Sequence, residues 1–220
     1  GQGKLVLPEA RLGLETLSPQ SLLLMRYGAY LDPDFIPLSL ISSLLGVSNE
    51  EKLNDILTEL LKLSLIKVIN GPNKEGIQIH REVQAVCKEY IGWQEEANML
   101  QDTLLLNMLQ VLHGHMPAVH KVPDDRSWEQ GRLYATNVAY FLADAGKDLE
   151  VQPLLADLLD CMGKYSTQIQ CNYRQAVYYH KQALEMRQAL YKDNHLGIAY
   201  SLNKVGAAYH ALGRYQKTLK

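Results

Sequence analysis

Apolar and polar positions change rhythm several times along this chain, and the changes divide it. From Asp148 to Lys220 a helix–turn–helix pattern occurs twice. Leu158, Leu159, Met162, Gly163 and Tyr165 precede Tyr173, Ala176, Tyr179, Ala183 and Leu184. Ser201, Leu202, Val205, Gly206, Ala208 and Tyr209 repeat the first set, followed by Leu212, Gly213, Tyr215 and Leu219. Gly163 and Gly206 stand 43 residues apart, and Tyr173 and Tyr215 stand 42 apart. Self-similarity at a fixed period of this size predicts stacked helical hairpins, each burying its apolar face against neighbours. The small residues let paired helices approach, and the tyrosines fill the gaps beside them. The pattern stops where a second return helix should begin, which predicts a longer array.

Upstream the rhythm is different. Residues 1–17 carry scattered leucines interrupted by Pro8 and Gly13, and read as the tail of a preceding region. Ser18-Pro19 is an N-cap followed by proline at the first helical position, predicting a helix to about Leu31. Asp32-Pro33-Asp34 is a turn, and Ile36-Pro37 is expected to open a short helix that Gly46 stops. Ser48 with Glu51 predicts a capping box for a third helix, whose apolar stripe is Leu53, Ile56, Leu57, Leu60, Leu61 and Leu63. Ser64 to Ile69 reads as a strand, Asn70-Gly71-Pro72-Asn73 as a turn, and Ile77 and Ile79 as the returning strand. Three helices and a two-stranded wing are the order of a winged helix. Helices follow over Arg81–Trp93, Glu95–Leu112 and Arg126–Ala145, with a loop from His113 to Asp125. The expected fold is therefore mainly α. Its expected parts are a tail (1–17), a winged-helix-like domain (18–93), a helical connector (94–147) and the hairpin repeats (148–220).

Composition narrows the function classes. A hydrophobic share of 47% with 21% charged residues suits a globular chain. The formal net charge of -2 argues against nonspecific attraction to nucleic acid or an anionic membrane. No apolar run reaches the ~18 residues a membrane span requires. The three cysteines, Cys87, Cys161 and Cys171, are odd in number and have no CxxC spacing, which fits a reduced cytoplasmic setting. Cys161 and Cys171 flank the turn of the first hairpin and are expected to be buried thiols rather than a redox pair.

The residues Ala183-Leu184-Glu185-Met186-Arg187, Leu190-Tyr191, Asn194-His195, Ile198-Ala199, Ser201-Leu202-Asn203 and Val205-Gly206 resemble a tetratricopeptide repeat. They resemble more narrowly the long-period class found in kinesin light chains. Two departures stand in the first hairpin: one extra residue between Gly163 and Tyr173, and Cys171 or Asn172 where a turn glycine is usual. A second resemblance covers Tyr27 to Arg81. Ala29 to Leu38, Leu60 to Ile66 and Ile79 to Gln84 look like the winged-helix segment of signal-transducing NTPases with numerous domains. That likeness implies an ATP- or GTP-binding domain upstream, acting in cis. In that family a histidine at the end of the wing faces the nucleotide domain, so the resemblance nominates His80 and Arg81 as reporters of bound phosphate. The repeat likeness implies that a protein or peptide binds the concave face lined by the first helix of each hairpin. It nominates Tyr200, Asn203 and His210, with Asp157, Asp160 and Lys164 at the corresponding places in the first hairpin. Asn203 stands out because an amide both donates and accepts.

Sites for chemistry are sparse. GxxxxGK[ST], HExxH, GxSxG and paired cysteine ligands do not occur. Gly1-Gln2-Gly3-Lys4 lacks the spacing of a phosphate loop and reads as a chain end. His113, His115 and His120 form the one histidine cluster, expected as a polar surface loop rather than a metal site. No catalytic residue, cofactor or metal is expected. The third helix carries Glu50, Glu51, Asp55 and Glu59 against Lys52 and Lys62, too acidic for direct DNA reading. The sequence thus predicts a non-enzymatic interaction and regulatory region of a larger signalling NTPase. A stand-alone adaptor and a winged-helix transcriptional regulator are the alternatives.

Overall fold

The computed structural model describes residues 11–71, 74–91, 97–117, 125–144, 152–192 and 195–213. Pro72, Asn73, Trp93, His120, Gly146, Asp193, Asn194, Tyr215 and Leu219 lie outside the described residues, and so do the first ten. Among the described residues the fold is mainly α, with one small antiparallel sheet. The chain forms two compact units, Gly1–Val111 and Leu112–Lys220.

In the first unit α1 spans Pro19–Gly28, and Ser18 caps it by accepting from the Ser21 amide. Glu59 fixes this cap from another helix: the Ser18 amide donates to its Oε1 at 2.8 Å and the Ser18 hydroxyl to its Oε2 at 2.6 Å. These bonds, with a further one from the Ser21 hydroxyl, hold the Glu59 carboxyl below its usual range. The helix ends three residues before the expected Leu31. Gln84 takes up its open end, donating to the carbonyls of Gly28 (2.9 Å) and Leu31 (2.7 Å).

Ile36 and Pro37 do not open a helix as expected. They form strand β1 and pair with β3, Lys74–Ile79, in the register Ile36↔Ile77 and Pro37↔Gly76. Proline is tolerated there because an edge strand leaves its missing N–H unneeded. Opposite it, a Cβ on Gly76 would stand 2.6 Å from the Ile36 carbonyl, so the close approach requires glycine. Strand β2, Ile66–Gly71, pairs with the other side of β3, giving the order β1-β3-β2. Helix α2, Leu38–Leu45, follows β1 and is stopped by Gly46 in the left-handed region.

Helix α3, Glu50–Lys62, is capped by Asn49 and not by the expected Ser48–Glu51 box. Asn49 has the extended backbone of a cap, and its Oδ1 accepts from the Glu51 amide at 2.8 Å. Leu24, Met25, Ile36, Leu40, Ile41, Leu60, Ile77 and Ile79 close the core between these helices and the sheet. Helix α4, Arg81–Ile91, leads towards α5, Ala97–His115. Asn107 of α5 donates to the Tyr27 hydroxyl and to the Leu44 carbonyl.

The second unit contains α6 (Asp125–Asp144), α7 (Pro153–Gln168), α8 (Tyr173–Leu190) and α9 (Leu196–Ala211). Trp128 of α6 donates to the Gln168 side chain of α7 at 2.9 Å and packs on Tyr165. Helices α7 and α8 form the expected hairpin, with α9 packed against α8. Gly163 permits the close approach of α7 to α8: a Cβ there would stand 2.5 Å from the His180 ring. At the turn Cys171 takes φ 52°, a left-handed conformation where glycine would be unstrained, and Asn172 caps α8. Cys161 is buried as expected and burial pushes its thiol up to about 12, but Cys171 is exposed because its turn projects into solvent.

Candidate functional site

The most structured polar arrangement among the described residues lies inside the second unit, around Arg187 of α8. An arginine one helical turn below Ala183 falls on the face that α8 turns inward, so the guanidinium enters between α7 and α9. Its Nη1 donates to Asp160 Oδ2 at 2.5 Å and to the Ser201 hydroxyl, and its Nη2 donates to Asp157 Oδ1 at 2.6 Å. Asp160 is closed on its other side by His180, with Nδ1 2.7 Å from Oδ1. Asp157 and Asp160 meet the same arginine because residues three apart share a helix face. Arg187 is 4% exposed and Asp160 is 0% exposed. Desolvation works against the Arg187 charge, but the bonds and charges of Asp160 and Asp157 outweigh it and raise the guanidinium's pKa further. One side chain thus fastens three helices.

This arrangement corrects the expected place of Asp160 on an open partner-facing surface. Its carboxylate is wholly enclosed because α8 presents Arg187 and His180 to it. Asp157 is half-buried at the edge of the same cluster. Tyr200 is half-buried, with the Arg187 guanidinium 5.7 Å and the Lys204 ammonium 5.1 Å from its ring centre. Burial first, then the nearby Asp160, pushes its hydroxyl up to about 12. Asn203 and His210 are exposed on α9.

Between α7 and α9 runs a small groove of about 140 Å³ lined by Lys164, Lys204, Thr167, Gln168, His180 and Ala208. Burial and the neighbouring Lys204 charge hold the Lys164 ammonium below its usual range. Two cations therefore converge on one surface. The sequence reading names Ser201 and Arg187 only as parts of the repeat pattern and does not single out Lys204 or His180. The available signal was an arginine at helical spacing from Ala183 and His180, facing aspartates three apart on the preceding helix.

His80 and Arg81 sit at the end of β3 and the start of α4. Both are exposed: His80 Nδ1 accepts from the Glu82 amide at 3.4 Å, and Arg81 pairs with Asp34 at 3.3 Å. The expected loop from His113 begins later, because α5 continues through His115. His115 packs on Tyr134 with ring centres 4.3 Å apart and planes tilted by 32°, and burial lowers its pKa. Among the described residues no His, Cys, Asp and Glu side chains group as a metal site, and no helix is long and apolar enough to cross a membrane.

Comparison with known proteins agrees with the helical hairpins. The curated proteins and the solved structures give no match to the chain. Residues 12–95 match a family described as Domain of unknown function (DUF7779). Residues 154–219, which include α7 from its second residue, α8, α9 and the Arg187 cluster, match the Tetratricopeptide repeat family, whose members serve protein–protein interaction.

Proposed function

We propose that this chain is the non-catalytic interaction and regulatory region of a larger signal-transducing NTPase. In this reading the repeats bind a protein partner, and a winged-helix-like module couples that event to a nucleotide-binding domain elsewhere in the full protein. The tetratricopeptide match over 154–219, with the groove between α7 and α9, supports the interaction role. Lys164 and Lys204 make that groove favourable to an acidic partner segment, and Asn203 offers a donor and an acceptor on α9. Three helices followed by a β-hairpin, with His80 and Arg81 exposed beside it, support the coupling role. Coupling then works by differential contact: the module docks on the nucleotide domain in one nucleotide state and releases it in the other.

Partner capture from the natural host with the Lys204→Glu and Asn203→Ala variants tests the interaction role. Lys204→Glu should reduce capture at least about tenfold, since it reverses a charge in the groove. Capture unchanged by both substitutions would remove the groove from the proposal. Nucleotide affinity in the full-length protein tests the coupling. If His80→Ala and Arg81→Ala both leave it unchanged, the stand-alone adaptor is the better reading. The exposed acids Glu50, Glu51 and Asp55 of α3 oppose the transcriptional reading, which predicts a gel shift with duplex DNA.

A further inference from the structure

A second, larger cleft of about 430 Å³ opens where the start of α7, the end of α8 and the start of α9 come together. Asp157, Arg187, Tyr191, His195, Leu196 and Tyr200 line it. Its volume lies in the range of ligand sites. Asp157 and Asp160 flank one guanidinium, and His180 closes Asp160 on its far side. Asp160 is sealed inside, so the carboxylate that reaches the cleft is that of Asp157, whose side chain is 30% exposed. Asp157 Oδ1 already accepts from Arg187, and its second oxygen accepts no hydrogen bond from a described residue. Arg187 is committed to two carboxylates and a hydroxyl, so it does not offer an incoming anion an unopposed charge.

Another part of the lining is aromatic. Tyr191 and His195 stack with centroids 3.8 Å apart and planes 11° from parallel, giving a flat platform at the turn between α8 and α9. Leu196 stands at its rim, 86% exposed. A carboxylate and a stacked aromatic pair lining one cleft suit a flat or compact cation with an apolar stem, because the charge can meet the oxygen and a ring face while the stem covers the leucine.

We infer that this cleft takes a basic side chain, arginine above lysine, presented by a partner peptide. The inference rests on the interaction role proposed above and adds the sign of the partner's charge at this end of the helices. Asp157 and Lys164 are seven residues apart on α7, hence on the same face and about 10 Å apart along the axis. Tyr200 and Lys204 share a face of α9 in the same way. The surface therefore changes sign along its length, and the matching segment carries a basic residue at the cleft and an acidic one about 10 Å further on.

The test is a titration of the 220-residue chain, followed by amide NMR shifts, with three capped tripeptides. Each is Gly-X-Gly, with X arginine, citrulline or glutamate. Citrulline keeps the shape of arginine and removes its charge. The arginine peptide should shift the amides of Tyr191, Gly197 and Tyr200, and the citrulline peptide should bind at least about threefold more weakly. Asp157→Asn should bring the arginine peptide to the citrulline level while keeping an acceptor for Arg187. Tyr191→Ala, which leaves the ion cluster untouched, should weaken both peptides. Equal binding of arginine and citrulline would overturn the inference. So would binding of the glutamate peptide at the cleft, or no shift at these amides up to about 10 mM arginine peptide, a concentration that would reveal even a millimolar site. Lys204→Glu separates the two proposals: loss of the natural partner with unchanged arginine-peptide binding retains the cleft, whereas loss of arginine-peptide binding in Asp157→Asn and Tyr191→Ala with Lys204→Glu harmless retires the groove alone.

Discussion

Arg187→Ala is the perturbation that most directly tests how the second unit is held. The substitution removes three hydrogen bonds from the guanidinium and leaves the Asp160 carboxylate, 0% exposed, without its cation. Breaking a buried pair by deleting one partner costs about 3–5 kcal/mol, most of it the penalty of an uncompensated buried charge. His180 stays beside Asp160 at 2.7 Å and can supply part of the missing compensation, which places the expectation near the lower end, about 3 kcal/mol. Arg187→Met combined with Asp160→Asn removes both charges and keeps an acceptor for His180. It should cost only about 1–2 kcal/mol, because an uncharged pair of similar volume carries no desolvation debt.

The assay is urea unfolding read by tryptophan fluorescence in a Trp93→Phe background. The chain has two tryptophans, so Trp128 alone then reports, from its bond to Gln168 of α7. Urea is preferred because guanidinium would screen the charges under test. A loss of about 3 kcal/mol should lower the midpoint by about 2 M. A loss below about 1 kcal/mol for Arg187→Ala would refute the reasoning, since surface ion pairs cost that little. Strict additivity of the single substitutions Arg187→Met and Asp160→Asn in the double variant would refute it too, because neighbours in one network should couple.

Three further outcomes follow from the packing and the turns. Gly163→Ala should destabilise the second unit by about 1–3 kcal/mol, because the added Cβ falls 2.5 Å from a His180 ring that Asp160 keeps in place; thermal unfolding checks it. Cys171→Gly should stabilise the same unit by about 0.5–1 kcal/mol by relieving the left-handed φ of 52°, seen as a rise in Tm. Glu59 has its folded pKa depressed from 4.5, mainly by Ser18 and Ser21. Its stabilisation is therefore fully present above pH 4.5 and is lost as pH falls through the lower folded value. Glu59→Gln should flatten the acid side of the first unit's stability profile and leave the profile above pH 6 parallel to that of the unchanged protein.

The hairpins could be read from the sequence because their signal is redundant. Gly163 and Gly206 recur 43 residues apart and Tyr173 and Tyr215 recur 42 apart, so each occurrence supports the other, and Ala176, Ala183 and Ala208 are small and buried. The β1 strand carried no such support. Two residues cannot show alternation, and Ile36-Pro37 reads equally well as a helix start until Gly76 is brought opposite. The cap of α3 is ambiguous in sequence for a similar reason: Ser48 and Asn49 are both good caps, and only the backbone at Asn49 decides between them.

The candidate site shows a deeper limit of reading by repeats. Asp160 and Asn203 are separated by the same 43 residues as Gly163 and Gly206, and the repeat likeness assigns both to one role. A shared period makes backbone positions equivalent, but it does not make environments equivalent. Asp160 faces an arginine and a histidine delivered by α8 and is sealed; Asn203 on α9 is exposed, as is Leu202 beside it at 52%. What decides the difference is the residue on the neighbouring helix, and no rule of spacing within one helix contains that information. The chemistry of this surface therefore belongs to pairs across helices: Arg187 with Asp157 and Asp160, and Lys164 with Lys204. A double-mutant cycle on Asp157 and Arg187 measures this directly. Coupling of at least about 1 kcal/mol is expected for a half-buried, charge-assisted pair, and additive effects would return Asp157 to the status of an isolated surface acid.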